Sequence, residues 1–308
     1  ACGLLRGNDN DADAPDAGRP AVDGGAAGND AGPKSPPREP VLDVAYDEGA
    51  PADPQRALDL YPPASGTGAP VVVWVHGGAW TTGDKRNQLS DKVALFNGEG
   101  YLFVSVNYRL SPTPTASPAA GRVMHPVHAQ DVARAVAWVK AHAAEYGGDG
   151  SRLALLGHSA GAHLVSLVAT SPGFLGAHGL GPSAVRCTAS LDTEGYDIPA
   201  VMADASGTQR ALYENAFGTD PATWTAASPI THAKPGAAIG EFLIARRGNV
   251  GRRAAANAFR DALTGAGVAV QVVDVSGYDH EGVNDAVGKP GESVLTPALR
   301  DFFGNCLP

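Results

Sequence analysis

The chain has 308 residues, 32 acidic and 23 basic, for a formal net charge of −9; 44% of residues are hydrophobic and 18% charged. That composition is ordinary for a globular protein, and the acidic balance excludes nucleic acid as the main partner, because binding a phosphate backbone needs a basic face. No apolar run approaches the roughly 18 residues of a membrane-spanning helix, and three cysteines are too few for a disulfide-built fold.

Residues 1–40 differ from the rest. Their large apolar side chains are Leu4, Leu5 and Val22, against seven acids and four bases. Such a segment cannot bury enough surface to offset ordering entropy of roughly 1–2 kcal/mol per residue. It predicts a disordered acidic Gly/Ala/Pro-rich tether, with the folded domain over 41–308. The Asp-rich run 9–16 fails as a calcium loop: Ala14 stands where the turn needs Gly, and Pro20 where a bidentate Glu is needed. Ala1-Cys2-Gly3 before a polar linker is similar to a bacterial lipoprotein junction. It implies a lipid anchor through Cys2 and an exported protein, in the cell envelope or secreted; a stray cysteine is the other reading.

Beyond residue 40, short β-branched runs at 71–75, 102–106, 153–156, 185–191, 242–245 and 268–275 predict strands. Between them lie helical patterns. In 131–146, Val132, Ala135, Val136, Val139 and Ala143 share one face, and Gly147-Gly148 stop the helix. Another helix starts near Ser159. A last one is expected with Thr296 as N-cap, Pro297 in the first turn and Gly304 past the end. Strands alternating with helices predict an α/β domain, a mostly parallel sheet covered on both faces.

Two motifs carry chemistry. The run 153–156 leads into Gly157-His158-Ser159-Ala160-Gly161 and then a helix, the strand–turn–helix setting that gives G-x-S-x-G its meaning. The turn around the serine must be sharp, so the residues two away on each side must be small. The run 71–75 ends in His76-Gly77-Gly78-Ala79-Trp80, where glycines let peptide N–H groups approach an oxygen. The expected oxyanion hole is the N–H groups of Gly77, Gly78 and Ala160. His76 is expected to be structural, and Trp80 to pack.

With these motifs the chain resembles the α/β-hydrolases of the hormone-sensitive-lipase-like and feruloyl- and acetyl-esterase-like group, including kynurenine formamidases. The residues that carry the likeness are Leu58-Asp-Leu-Tyr-Pro62, His76–Trp80, Asn107-Tyr-Arg-Leu110, Gly157–Gly161, Phe217-Gly218 with Ser228-Pro229, and His280. The resemblance implies the α/β-hydrolase fold and a serine hydrolase of small acyl esters or amides that uses no metal and no cofactor.

The chain order in that fold is Ser, acid, His. His280 follows the last strand, in a loop, and is the expected general base. The acid departs from the pattern. Residues 246–253, after the strand 242–245, read Arg-Arg-Gly-Asn-Val-Gly-Arg-Arg and hold no carboxylate. The preceding strand ends in Leu191-Asp192-Thr193-Glu194. Some hydrolases of this fold, pancreatic-type lipases among them, carry their acid there in a Leu-Asp context. Asp192 is therefore the expected acid, with Glu194 and then Asp197 as alternatives; a turn cap is the competing role for Asp192. Tyr196 and Trp224 are candidate pocket residues, within a segment 193–235 expected to shape the acyl site. Cys187 and Cys306 are expected to pair, which stabilises by roughly 2–4 kcal/mol. Three readings stay open: an esterase for short acyl chains or acetyl and feruloyl groups, an amidase of formyl-kynurenine type, and a non-catalytic binding protein on a hydrolase scaffold.

Overall fold

A computed structural model describes residues 38–50, 52–64, 66–114 and 121–308. The tether expected over 1–40 lies outside the described residues apart from 38–40, and so does Cys2. Among the described residues eight strands form one sheet: β1 (Val41–Ala45), β2 (Ala57–Tyr61), β3 (Ala69–Val75), β4 (Leu102–Val106), β5 (Gly148–His158), β6 (Cys187–Leu191), β7 (Glu241–Arg246) and β8 (Val270–Asp274). Their order is β1-β2-β4-β3-β5-β6-β7-β8. β1 and β2 pair antiparallel, β2 also with β4; the other pairings are parallel.

The helices are α1 (Ser90–Gly98), α2 (Val127–His142), α3 (Ala160–Thr170), α4 (Pro172–Gly176), α5 (Ile198–Asp204), α6 (Gly207–Phe217), α7 (Pro221–Ala226), α8 (Pro229–His232), α9 (Val250–Gly265), α10 (His280–Ala286) and α11 (Leu295–Cys306). Successive strand side chains point to opposite faces, and the core divides accordingly. Val71, Val73 and Val75 pack in one cluster with Val132 and Val136 of α2, Leu164 and Val168 of α3 and Phe259 of α9. Val72 and Trp74 pack in the other with Phe96 of α1 and Leu299 and Phe303 of α11. Helices therefore cover both faces, as the alternation of patterns predicts.

Several boundaries differ from the sequence reading. β1 and β2 were not among the predicted strands; both are five-residue segments, VLDVA and ALDLY, with an Asp at the centre. The Asp59 carboxylate in β2 is fully buried because Lys85 and Arg86 bind it. The strand expected over 185–191 begins at Cys187, because Pro182–Ala184 forms a 3₁₀ turn first. The strand expected over 268–275 is shorter because the Val268 N–H bonds the Leu263 carbonyl, closing the end of α9. α2 begins four residues early and passes into a 3₁₀ turn, Ala143–Tyr146, that stops at Gly147 with φ 83°.

α11 corrects the expected cap. Thr296 lies inside it; its hydroxyl donates to the Ala286 carbonyl at 2.7 Å and accepts from Gly288 N–H at 2.9 Å. Glu292 instead accepts from the N–H groups of Val294 and Leu295 at 2.7 and 2.9 Å, and Gly304 is within the helix. Cys187 and Cys306 form a disulfide, both buried, tying the end of α11 to β6 across 119 residues.

Candidate active site

Ser159 stands between β5 and α3 with φ 56° and ψ −119°. A non-glycine residue at positive φ is costly and survives where its surroundings enforce it. Here the Ser159 N–H is held by the Leu191 carbonyl of β6 at 2.9 Å. A side chain at Gly161 would overlap the Val75 and His76 carbonyls, and one at Gly157 the backbone of Gly161. The flanking glycines are what this close crossing of β3, β5 and α3 demands.

His280 reaches Ser159 from α10. It opens α10 rather than sitting in a loop, with Asp279 as N-cap accepting from Gly282 N–H at 2.7 Å. That cap is local chemistry: Asp before a first turn satisfies a free helix amide. The His280 ring bridges two partners. Nδ1 is 2.6 Å from Asp192 Oδ2, and Nε2 is 2.8 Å from Ser159 Oγ. An ionised carboxylate only accepts, so Nδ1 carries the proton and Nε2 accepts from the serine hydroxyl.

Asp192 follows β6 directly. It has φ 49°, is 2% exposed, and its N–H donates to the Ala245 carbonyl of β7 at 2.9 Å. Burial opposes its charge, but the hydrogen bond from His280 and the nearby Arg252 outweigh burial and bring its pKa down to about 2. The other carboxylates proposed from sequence are placed elsewhere. Glu194 binds Arg252 and accepts from Gln209 at 3.1 Å. Asp197 caps α5, accepting from Ala200 N–H at 3.2 Å. Asn249, in the position that holds no acid, caps α9.

A cavity of 450 Å³ opens beside Ser159 and His280. Trp80 and Tyr213 form an apolar part, with Leu212; Glu194, Gln209 and Arg252 form a polar part. Tyr196 and Trp224 do not line it. Tyr196 is fully buried, stacked on Phe259 with its hydroxyl 2.8 Å from Ser190 Oγ. Trp224 Nε1 donates to the Gly218 carbonyl at 2.9 Å. The segment 193–235 does border the cavity, through α6. Trp80 both packs and lines: its ring meets Tyr213, Phe217 and His163 edge-on, and Nε1 donates to His163 Nδ1 at 3.3 Å.

The glycine loop is placed less simply than expected. Ala79 and Ala160 line the cavity, whereas Gly77 and Gly78 line a separate depression with His76 and His158. Gly77 still lies against Ser159, since a Cβ there would be 3.1 Å from that of the serine. Gly78, Ala79 and Trp80 all have positive φ, a tight turn. His76 Nδ1 donates to the Gly77 carbonyl at 2.7 Å, the structural role expected of it. His158 Nε2 donates to the His280 carbonyl at 2.9 Å; burial and the adjacent His280 push its pKa down to about 3.

Among the described residues, His158, Asp192 and His280 are the group whose donor atoms come close enough to hold a metal, all within 4.8 Å. The chemistry does not favour a cation there, because Arg247 and Arg252 already bind Asp192. Sequence reading missed these two arginines and the pocket residues Leu212 and Tyr213. A charge argument finds the arginines: four cations within residues 246–253, a stretch without an acid, imply a carboxylate nearby.

The family model described as BD-FAE matches residues 58–239. Esterase LipQ of Mycobacterium tuberculosis is 31% identical over 258 residues, 81% of this chain and 58% of LipQ. "Probable carboxylic ester hydrolase LipM" of the same organism is 44% identical over 133 residues, 42% of this chain and 28% of that protein. The chain thus spans little more than half of LipQ and about a quarter of LipM. Among solved structures, Esterase B from Lactobacillus rhamnosis superposes with TM-score 0.69 at 23% identity, covering 90% of this chain and 88% of that one. A truncated carbohydrate esterase from gut microbiota superposes with TM-score 0.68 at 20% identity, covering 88% and 99%. These likenesses show the α/β-hydrolase fold. The family match runs through both glycine motifs and more than half of the sequence, and the chain belongs to the BD-FAE family.

Proposed function

We propose that the protein is a serine carboxylic-ester hydrolase acting on small or short-chain acyl esters. The observation that carries this reading is the unbroken hydrogen-bond chain from Ser159 through His280 to Asp192 at the edge of the cavity. In it, Ser159 Oγ attacks the acyl carbon while His280 Nε2 takes the hydroxyl proton. Asp192 holds the imidazole in the required tautomer. Negative charge on the carbonyl oxygen is met by peptide N–H groups of the Gly77–Ala79 turn and of Ala160, at the N-terminus of α3. His280 then gives its proton to the leaving alcohol. Water attacks the acyl-enzyme by the same route and releases the acid.

The 450 Å³ cavity, lined by Trp80 and Tyr213 and by the Glu194–Arg252 pair, supports a short acyl group. Relatives named as esterases support ester over amide chemistry. Asp192 beside His280 removes the motive for a non-catalytic reading, which rested on the empty acid position after β7. The Cys187–Cys306 disulfide supports the exported location, since such bonds persist in oxidising compartments.

The test is a p-nitrophenyl acetate-to-decanoate series run beside formyl-kynurenine, with an organophosphonate label on Ser159. Turnover is expected to be highest for the shortest esters and to fall at least about 10³-fold in Ser159→Ala. Preference for formyl-kynurenine would favour the amidase, and an unlabelled Ser159 would leave a binding protein.

A further inference from the structure

The loop after β7 and the first turn of α9 place two cations on one buried carboxylate. Arg247 Nε donates to Asp192 Oδ2, the oxygen that also accepts from His280. Arg252 Nη2 donates to Asp192 Oδ1 at 2.9 Å and to its backbone carbonyl at 3.1 Å. Both carboxylate oxygens are thereby fixed. Arg252 also binds Glu194 through Nη1.

Local forces do not put an arginine there. Arg252 lies in the first turn of α9, which contains no acidic residue. That end of a helix carries partial positive charge and disfavours cations. Asp192 is itself held at positive φ. Two locally unfavourable choices meet in one set of ion pairs, the mark of a position enforced by its surroundings.

We propose that Arg247 and Arg252 are positioning residues of this hydrolase, holding Asp192 ionised and aimed at His280 and extending activity to lower pH. The proposal rests on the triad reading above. Orientation follows from the planar guanidinium, which fixes the direction of a carboxylate as well as its charge. The pH effect follows from competition for that carboxylate. A protonated His280 cannot accept the serine proton, and the two guanidinium groups on Asp192 draw on the same carboxylate charge that would stabilise the imidazolium. Removing one makes the inactive imidazolium easier to form.

The other ionisable groups around His280 keep their identity in these variants, but substituting Arg252 also removes the counter-charge of Glu194, so Arg247→Gln is the cleaner of the two Gln variants. These groups are Asp192 from the end of β6, His158 from β5 with its ring 4.6 Å away, Lys92 of α1, Glu194 paired with Arg252, and Asp279 and Glu281 beside His280 in sequence. Lys92 Nζ donates to the Asn284 carbonyl of α10 at 2.9 Å.

The experiment is kcat/KM for p-nitrophenyl acetate from about pH 4 to 9, normalised by phosphonate titration of active sites. The proteins are wild type, Arg247→Gln, Arg252→Gln, Arg247→Lys and Arg252→Lys. In each Gln variant the acidic limb should move up by roughly one pH unit, and plateau kcat should fall about tenfold. The Lys variants keep the charge but lose the planar fork. Their limbs should stay at the wild-type position while kcat falls several-fold.

Gln variants whose limbs coincide with wild type overturn the proposal, whatever happens to kcat. Should a Gln variant not fold, a Lys variant with full wild-type kcat overturns it instead. Phosphonate labelling keeps the two readings apart. Wild type that takes no label removes the triad reading; wild type that labels, with unmoved limbs, removes only the role of the arginines.

Discussion

The loops after β6 and β7 leave neighbouring parallel strands level with each other, Leu191 pairing with Ala245, yet they carry opposite charge. One reads Asp192-Thr193-Glu194; the other reads Arg247-Gly248-Asn249, with Arg246 ending β7 and Arg252 just inside α9. The resemblance to known hydrolases puts the acid in the second loop. Here a carboxylate meets His280 from the first. Adjacent strands are only about 4.8 Å apart, so what the imidazole needs is a carboxylate at Nδ1, whichever strand delivers it. The loop without the acid binds the acid with cations, and each loop is electrostatically incomplete without the other.

Breaking that complementarity should have the largest effect. Arg252→Glu would set a third carboxylate beside Asp192 and Glu194 with one counter-charge removed. The expected cost is about 3–5 kcal/mol of stability, that of an unpaired buried charge, read as a fall in urea midpoint. An unchanged midpoint would mean that the ion pairs contribute little.

Acid titration sharpens the comparison at smaller amplitude. The Asp192 pKa is lowered from 3.8 to about 2, so the carboxylate stabilises the fold above its unfolded pKa. That stability is lost as pH falls from about 4 through 2, a difference of about 2 kcal/mol. Urea unfolding across that range should show the slope in wild type and lose that part of it in Asp192→Asn. Equal slopes would contradict the ion-paired state of Asp192.

Smaller still is the effect of returning an acid to the second loop. Asn249 is occupied in capping α9, accepting from Arg252 N–H at 3.0 Å. Asn249→Asp should keep that cap and change kcat/KM by less than about threefold. A tenfold change would show that this loop still acts on His280 directly.

How much of this was legible in the sequence depends on whether the signal was local. The Ser159 turn was legible because sterics within five residues dictate Gly157 and Gly161. The central strands were legible as β-branched runs, while β1 and β2 were not, since their central aspartates imitate loop. The contact of Asp192 with His280 was legible through its Leu-Asp context and the empty loop after β7. The role of the arginines was not, because their partner lies 55 and 60 residues away in sequence. The pocket was misread for a similar reason. Tyr196 looks like a site residue near Asp192, but it stacks inside the core on Phe259, and the cavity wall comes from Leu212 and Tyr213 on α6. Helix start signals also misled at Thr296, where Glu292 is the better acceptor for the first amides.

The most direct measurement compares kcat for a short p-nitrophenyl ester in Asp192→Asn and Glu194→Gln, with folding checked by circular dichroism. The expected loss is about 10³–10⁴-fold in Asp192→Asn and less than about tenfold in Glu194→Gln, whose carboxylate binds Arg252 rather than His280. Near-full activity in Asp192→Asn with loss in Glu194→Gln would contradict the triad role of Asp192.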